Sequence, residues 1–187
     1  MAETYFCPRV QVYCHHGVRV PLPFQHHGIE MYGKDDVRHT SYGQRMRESW
    51  DRYKGASGLL WLEGDIAIEA LHLNEIEQLH HRQPGCVIAV PYRLYPLSTI
   101  RKAVLWAHSS ADTSGRWQLV SADEPCPSHP AAFALGCTFL PAMLLNEAEA
   151  HCDAFDWPVV DTRLSTVAAE HDIPCYTTTT PAVHLHY

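Results

Sequence analysis

The chain has 187 residues, 46% hydrophobic and 19% charged, which suits one globular domain with a sizeable core. Its net charge of −7, with Lys and Arg spread out apart from Arg45, Arg47 and Arg52, argues against a general nucleic-acid or acidic-membrane binder. No apolar run approaches the roughly 20 residues of a membrane span, and Met1-Ala2-Glu3-Thr4-Tyr5 lacks a signal-peptide pattern, so a cytoplasmic setting is expected.

In chain order, Val10 to Cys14 reads as a first strand, β-branched and aromatic, stopped by His15-His16-Gly17. Val18 to Phe24 is broken by Pro21 and Pro23, an edge strand or loop, and Gly28 to Thr40 reads as a polar connection. Ser41 to Tyr53 is expected to be helical, since Tyr42, Met46, Trp50 and Tyr53 recur at steps of three and four. Leu59 to Leu62 has the length and type of a strand buried on both faces. Ala67 to His81 suggests a helix with Ile68, Leu71, Ile76 and Leu79 inward and Glu75 and Glu77 outward. Cys86 to Val90 is a second buried strand, and Pro91 to Pro96 a rigid loop. Ala103 to Ala107 and Trp117 to Ser121 can pair as a hairpin, which would make the sheet mixed. Phe133 to Leu140 is apolar with Gly136 inside it, Pro141 starts a helix to about His151, Asp161 to His171 is a last helix, and Ile173 to Thr179 a final strand. Alternating strands and helices imply an α/β domain over residues 1–187 with a mixed, largely parallel central sheet.

The chemistry-bearing pattern is Glu63-Gly64-Asp65 at the end of the Leu59 strand. In an extended backbone both carboxylates point the same way, and Gly64 lets a ligand approach the main chain. The carboxyl end of a buried strand is where an open α/β sheet holds ligands, and two hard oxygens there suit a divalent cation. The plain alternative is an acidic, solvated turn. Seven cysteines form no C-x-x-C pair and point to buried free thiols in a reduced compartment. Fourteen histidines include three doublets, but none has metalloprotease-helix spacing, and most are expected at the surface.

Three pieces, in order, resemble a GT-A glycosyltransferase. Leu60-Trp61-Leu62-Glu63-Gly64-Asp65-Ile66 resembles that family's acidic strand end. Leu135-Gly136-Cys137-Thr138-Phe139-Leu140-Pro141 resembles its glycine-containing donor segment, and Phe155 to Ser165 the segment around its acceptor-activating carboxylate. The resemblance spans Leu59 to Tyr187. It departs in having Glu63 where many members have Asp, a single carboxylate in Val160-Asp161, and a short region before residue 55.

The resemblance implies a single GT-A-like domain that moves a sugar from a nucleoside diphosphate-sugar to an acceptor hydroxyl, with inversion. It implies Mn²⁺ or Mg²⁺ held by Asp65, by Glu63 directly or through water, and by a C-terminal histidine, His184 or His186. Asp161 would be the general base, although Asp at a helix start is also favoured as a plain cap. Tyr13, Gln44, Gly64, Gly136 and Cys137 would line the donor, while Tyr92, Arg93 and Trp157 could line the cleft. Rival readings are an inactive nucleotide-sugar-binding module, or a metal-dependent hydrolase or nucleotidyltransferase; for the last, no basic glycine-rich loop is present.

Overall fold

The computed structural model describes residues 9–13, 30–32, 42–52, 56–94, 104–112, 114–150 and 160–185. Their elements follow as β1 (Arg9–Tyr13), β2 (Glu30–Tyr32), α1 (Tyr42–Arg52), β3 (Gly58–Glu63), β4 (Ile66–Ala67), α2 (Ala70–Arg82), β5 (Val87–Ala89) and β6 (Arg93–Leu94). Then come β7 (Leu105–Ala111), β8 (Trp117–Ser121), β9 (Cys137–Pro141), α3 (Ala142–Ala150), α4 (Val160–Glu170), β10 (Cys175–Thr177) and β11 (Val183–His184).

Six strands form the principal sheet in the order β10-β5-β9-β3-β1-β2. The sheet is mixed, as expected, but antiparallel pairing has a larger share than a largely parallel arrangement would give it. Three ladders are parallel, β1–β2, β1–β3 and β5–β10, whereas β9 is antiparallel to both β3 and β5. With the small sheets β4–β11 and β6-β7-β8 included, antiparallel ladders predominate among the described residues. The cause also differs from the expected one. The β7–β8 hairpin stays outside the principal sheet and recruits β6, so residues 93–94 are a strand and not a loop. β9 mixes the sheet, because the chain re-enters beside the end of β3 and must run back along it.

The apolar run of β3 explains its central place. Leu59 and Trp61 face one cluster, with Met46 and Trp50 of α1, Leu144 and Leu145 of α3, and Leu164 and Val167 of α4. Leu60 and Leu62 face the other, with Ile76 of α2, Ile88, Phe139 and Tyr92. Alternation along one strand therefore seals both faces of the sheet, and each buried large side chain contributes about 1.5–3 kcal/mol of transfer free energy.

Two expectations about α2 are corrected. Leu71 is half exposed, and the inward face carries His72, Ile76 and His80 at four-residue steps. Histidine belongs to that face because its neutral ring packs as an aromatic; His80 meets Phe139 edge-on at 5.1 Å. Nor does Glu75 simply point to solvent. It accepts hydrogen bonds from the backbone N–H and hydroxyl of both Thr179 and Thr180, at 2.6–3.1 Å. Burial alone would raise the Glu75 carboxyl, but these donors outweigh it and hold the group below the usual carboxylate range. Among the described residues no helix is long and apolar enough to cross a membrane.

Candidate functional site

The carboxyl ends of β1, β3 and β5 meet the start of β9 at one edge of the sheet. There β3 stops abruptly. The Glu63 N–H donates to the Gly136 carbonyl at 2.7 Å, and Gly64 and Asp65 form a turn that leads into β4. The extended geometry expected for Glu63-Gly64-Asp65 is thus replaced by a turn, with Gly64 buried inside it. The two carboxylates still share surroundings, since the charges of both act on Tyr92 and on His184.

His184 arrives from the far end of the chain. β11 pairs antiparallel with β4, placing His184 opposite Ile66, and the Leu185 N–H donates to the Asp65 carbonyl at 2.8 Å. This register brings His184 Nε2 to 3.3 Å from Asp65 Oδ2, with both side chains mostly buried. The hydrogen bond to Asp65 raises the His184 pKa; burial opposes it, and the charges of Asp65 and Glu63 reinforce it. Helix α2 holds the approach to β11. His72 accepts the Glu69 N–H on Nδ1 at 2.8 Å, which leaves its Nε2–H to donate to the Pro181 carbonyl at 3.3 Å, while Glu75 grips Thr179 and Thr180. Neither residue carried a sequence signal for this task, because each partner lies more than a hundred positions away.

Tyr92 stands at the centre of the edge. It follows β5, bridges to Ala182, and is only 6% exposed. Its ring meets His184 edge-on at 5.3 Å and His108 at 6.0 Å. Burial pushes its hydroxyl well above the ordinary value, the charges of Glu63, Asp161 and Asp65 add to this, and the Gly136 backbone opposes it. The hydroxyl therefore stays protonated among three carboxylates. Gly136 is required by this packing, since a Cβ there would lie 2.5 Å from Tyr92 Cε1 and 3.0 Å from Ile66 Cγ1. His108 supports Tyr92 from behind, fully buried, its Nε2–H donating to the Val90 carbonyl and its Nδ1 accepting the Ala134 N–H, each at 3.1 Å.

Beyond Tyr92 lies a cleft of about 310 Å³ between the β7–β8 hairpin, residues 132–134 and the first turn of α4. Asp161 and Thr162 form its polar wall. Burial raises the Asp161 carboxyl against the hydrogen bonds from Thr162, whose N–H donates to Asp161 Oδ1 at 2.7 Å. Asp161 is the second residue of α4, and its carboxylate accepts from the backbone and side chain of Thr162 and from its own backbone N–H. Ser165 anchors this turn, donating to the Asp161 carbonyl at 2.8 Å and accepting the Phe133 N–H at 3.1 Å. The sequence reading did not single out Ser165, whose effect depends on a segment 32 residues away.

The residue set suits a cation at one place. Two donors held at about 2.1 Å by one ion at roughly a right angle stand about 3 Å apart, close to the Asp65–His184 separation. Among the described residues no three His, Cys, Asp or Glu side chains gather into a metal-holding cluster, so Glu63 does not complete a protein cage. Asp65 and His184 alone could fill two positions of such a cation's shell, and the others would fall to water or a ligand.

The remaining expected residues separate. Register places the Tyr13 backbone beside Glu63, though its side chain lies outside the described residues, as do His186 and Trp157. Gln44 is exposed on α1 and donates to Glu48 at 3.1 Å. Cys137 is fully buried in β9 within the core, where burial drives its thiol upward, so its side chain packs and does not face a ligand.

No family model matches the sequence, and no curated protein matches it. The fold is similar to that in a crystal structure of A197 from STIV, with a TM-score of 0.62 at 17% identity, over 96% of this chain and 86% of that one. At this identity the likeness is one of fold.

Proposed function

We propose that this chain is a divalent-cation-dependent, inverting glycosyltransferase with a GT-A-like fold. The observation that carries the reading is the contact of His184 with Asp65, which joins the acidic strand end to a histidine 119 positions away, with Asp161 facing a cleft across Tyr92. Asp65 and His184 would hold the cation, with Glu63 close enough to bind one of its waters. Bound there with the donor's two phosphates, Mn²⁺ or Mg²⁺ would neutralise the charge developing on the leaving diphosphate, and the imidazole favours Mn²⁺. Asp161 takes the proton of the acceptor hydroxyl as its oxygen attacks the anomeric carbon and the bond to diphosphate breaks. A base serving one direct displacement gives inversion. Burial raises the Asp161 carboxyl above the ordinary carboxylate value, which makes it a stronger base.

Thermal shift with a panel of nucleoside diphosphate-sugars, with and without Mn²⁺, tests the reading. Stabilisation by at least one donor, dependent on Mn²⁺ and lost in Asp65→Ala, is the expected result. A folded Asp65→Ala protein that gains the same stabilisation would refute the cation assignment. The inactive-module alternative is separated by assay: a donor-binding protein that also hydrolyses or transfers the sugar is an enzyme.

A further inference from the structure

We propose that the cleft beside Asp161 accepts a neutral pyranose ring, with Trp117 as its stacking face, so that the acceptor is itself a carbohydrate. This deepens the transferase reading and rests on it for the direction of transfer, but the binding site stands on separate observations. Its volume of about 310 Å³ lies at the lower end of small-ligand pockets, which run from about 300 to 1,000 Å³. That room suits a sugar ring, not a protein segment.

The lining has the chemistry of a carbohydrate site. Trp117 and Leu119 are 37% and 39% exposed although both are large and apolar. They lie two apart on β8 and line the same cleft, so a strand that could present polar side chains there presents apolar ones. An indole face packs well against the C–H face of a pyranose. Ser109, beside Leu119 in the hairpin register, and Thr162 and Asp161 of α4 offer two hydroxyls and a carboxylate to the ring's hydroxyl groups. Asp161 is the sole charged side chain among the described residues that line the cleft, which include no Lys or Arg. A phosphorylated or carboxylated acceptor would therefore meet repulsion from Asp161 without a cationic partner among them. The carboxylate that lines the ring pocket is also the one assigned to take a proton from an acceptor hydroxyl, which places the reactive oxygen within one small space.

The test uses the full chain without donor or metal. Saturation-transfer NMR is recorded with methyl α- and β-glycosides of glucose, galactose, mannose and N-acetylglucosamine, and with glucose 6-phosphate. At least one methyl glycoside should bind saturably in the millimolar range, Trp117→Ala should weaken it about tenfold, and Trp117→Phe should restore most of the loss. Asp161→Asn should improve binding of the phosphate relative to that of the glycosides, by relief of repulsion. No glycoside binding, equal binding by Trp117→Ala with its fold intact by amide spectrum, or stronger binding of glucose 6-phosphate than of the parent glycosides by the wild-type protein would each overturn the inference. Glycoside binding by a protein that ignores every nucleoside diphosphate-sugar would uphold the site and defeat the transferase reading. The reverse pattern would do the opposite.

Discussion

The two sides of Tyr92 are built from opposite materials. Toward the sheet edge, Glu63, Asp65 and His184 concentrate charge, and the key contact is held by backbone pairing of β4 with β11. Toward the hairpin, Trp117, Leu119 and Phe133 make an apolar cleft in which Asp161 is the one charge among the described residues. In the proposed reading, the first side would hold a cation and phosphates, and the second a neutral ring. One buried tyrosine separates them while touching both. The lesson is that a single side chain, packed from below by Gly136 and from behind by His108, can keep a charged cluster and an apolar cleft apart.

That division is broken most sharply by Asp161→Asn. The variant keeps its shape and still accepts the Thr162 N–H, so stability and donor binding should hold while turnover falls about 10²–10⁴-fold, the usual worth of a general base. In the wild type, activity should fall as pH drops through an Asp161 pKa raised by burial. Single-turnover kinetics beside a donor titration measures this. Near-normal turnover would return Asp161 to a structural role.

His108 tests what lies beneath the dividing wall. Burial pushes its pKa from 6.5 down to about 4, against the hydrogen bond to Val90. The native ring is neutral, because a proton on Nδ1 would confront the Ala134 N–H. Between about pH 6.5 and 4 the unfolded chain takes up a proton that the native chain refuses. Stability is therefore full above pH 6.5 and is lost as pH falls toward 4, by on the order of 3 kcal/mol. Urea titrations across this range should show that loss, and His108→Gln should flatten this part of the slope. An unchanged slope in the variant would assign the acid sensitivity to other groups.

A smaller effect sharpens the comparison by striking the part both sides share. Gly136→Ala places a methyl group against the Tyr92 ring and Ile66, and should cost about 1–3 kcal/mol. Displacing Tyr92 should weaken donor and acceptor binding together, unlike Asp161→Asn. Calorimetry with paired binding assays reads both. Loss on only one side would show that Tyr92 does not join them.

Much of the frame was legible in the sequence, and the reasons are local. The apolar run Leu59–Leu62, the hairpin strands and the Met46–Trp50 helix carry period and composition within one short window. β2 and β11 are three and two residues long, too short for any period to register. His72 and His80 were misplaced because residue type suggested surface while their spacing with Ile76 put them inside. At the site, Glu63 and Asp65 stood out as a strand-end pair, but their pairing with His184 and the role of Asp161 came through resemblance, not periodicity. The clamps made by Glu75, His72 and Ser165 depend wholly on long-range contacts, which single-sequence patterns do not encode.

The central claim is that the imidazole of His184 joins Asp65 in holding a divalent cation. Pulsed EPR of the full chain with Mn²⁺ and uridine diphosphate reads this directly, through modulation from a ligating nitrogen. The account predicts ¹⁴N modulation from one imidazole in the wild type, lost in His184→Ala and kept in His186→Ala. Protein-bound Mn²⁺ without imidazole modulation, or modulation that survives His184→Ala, would contradict it.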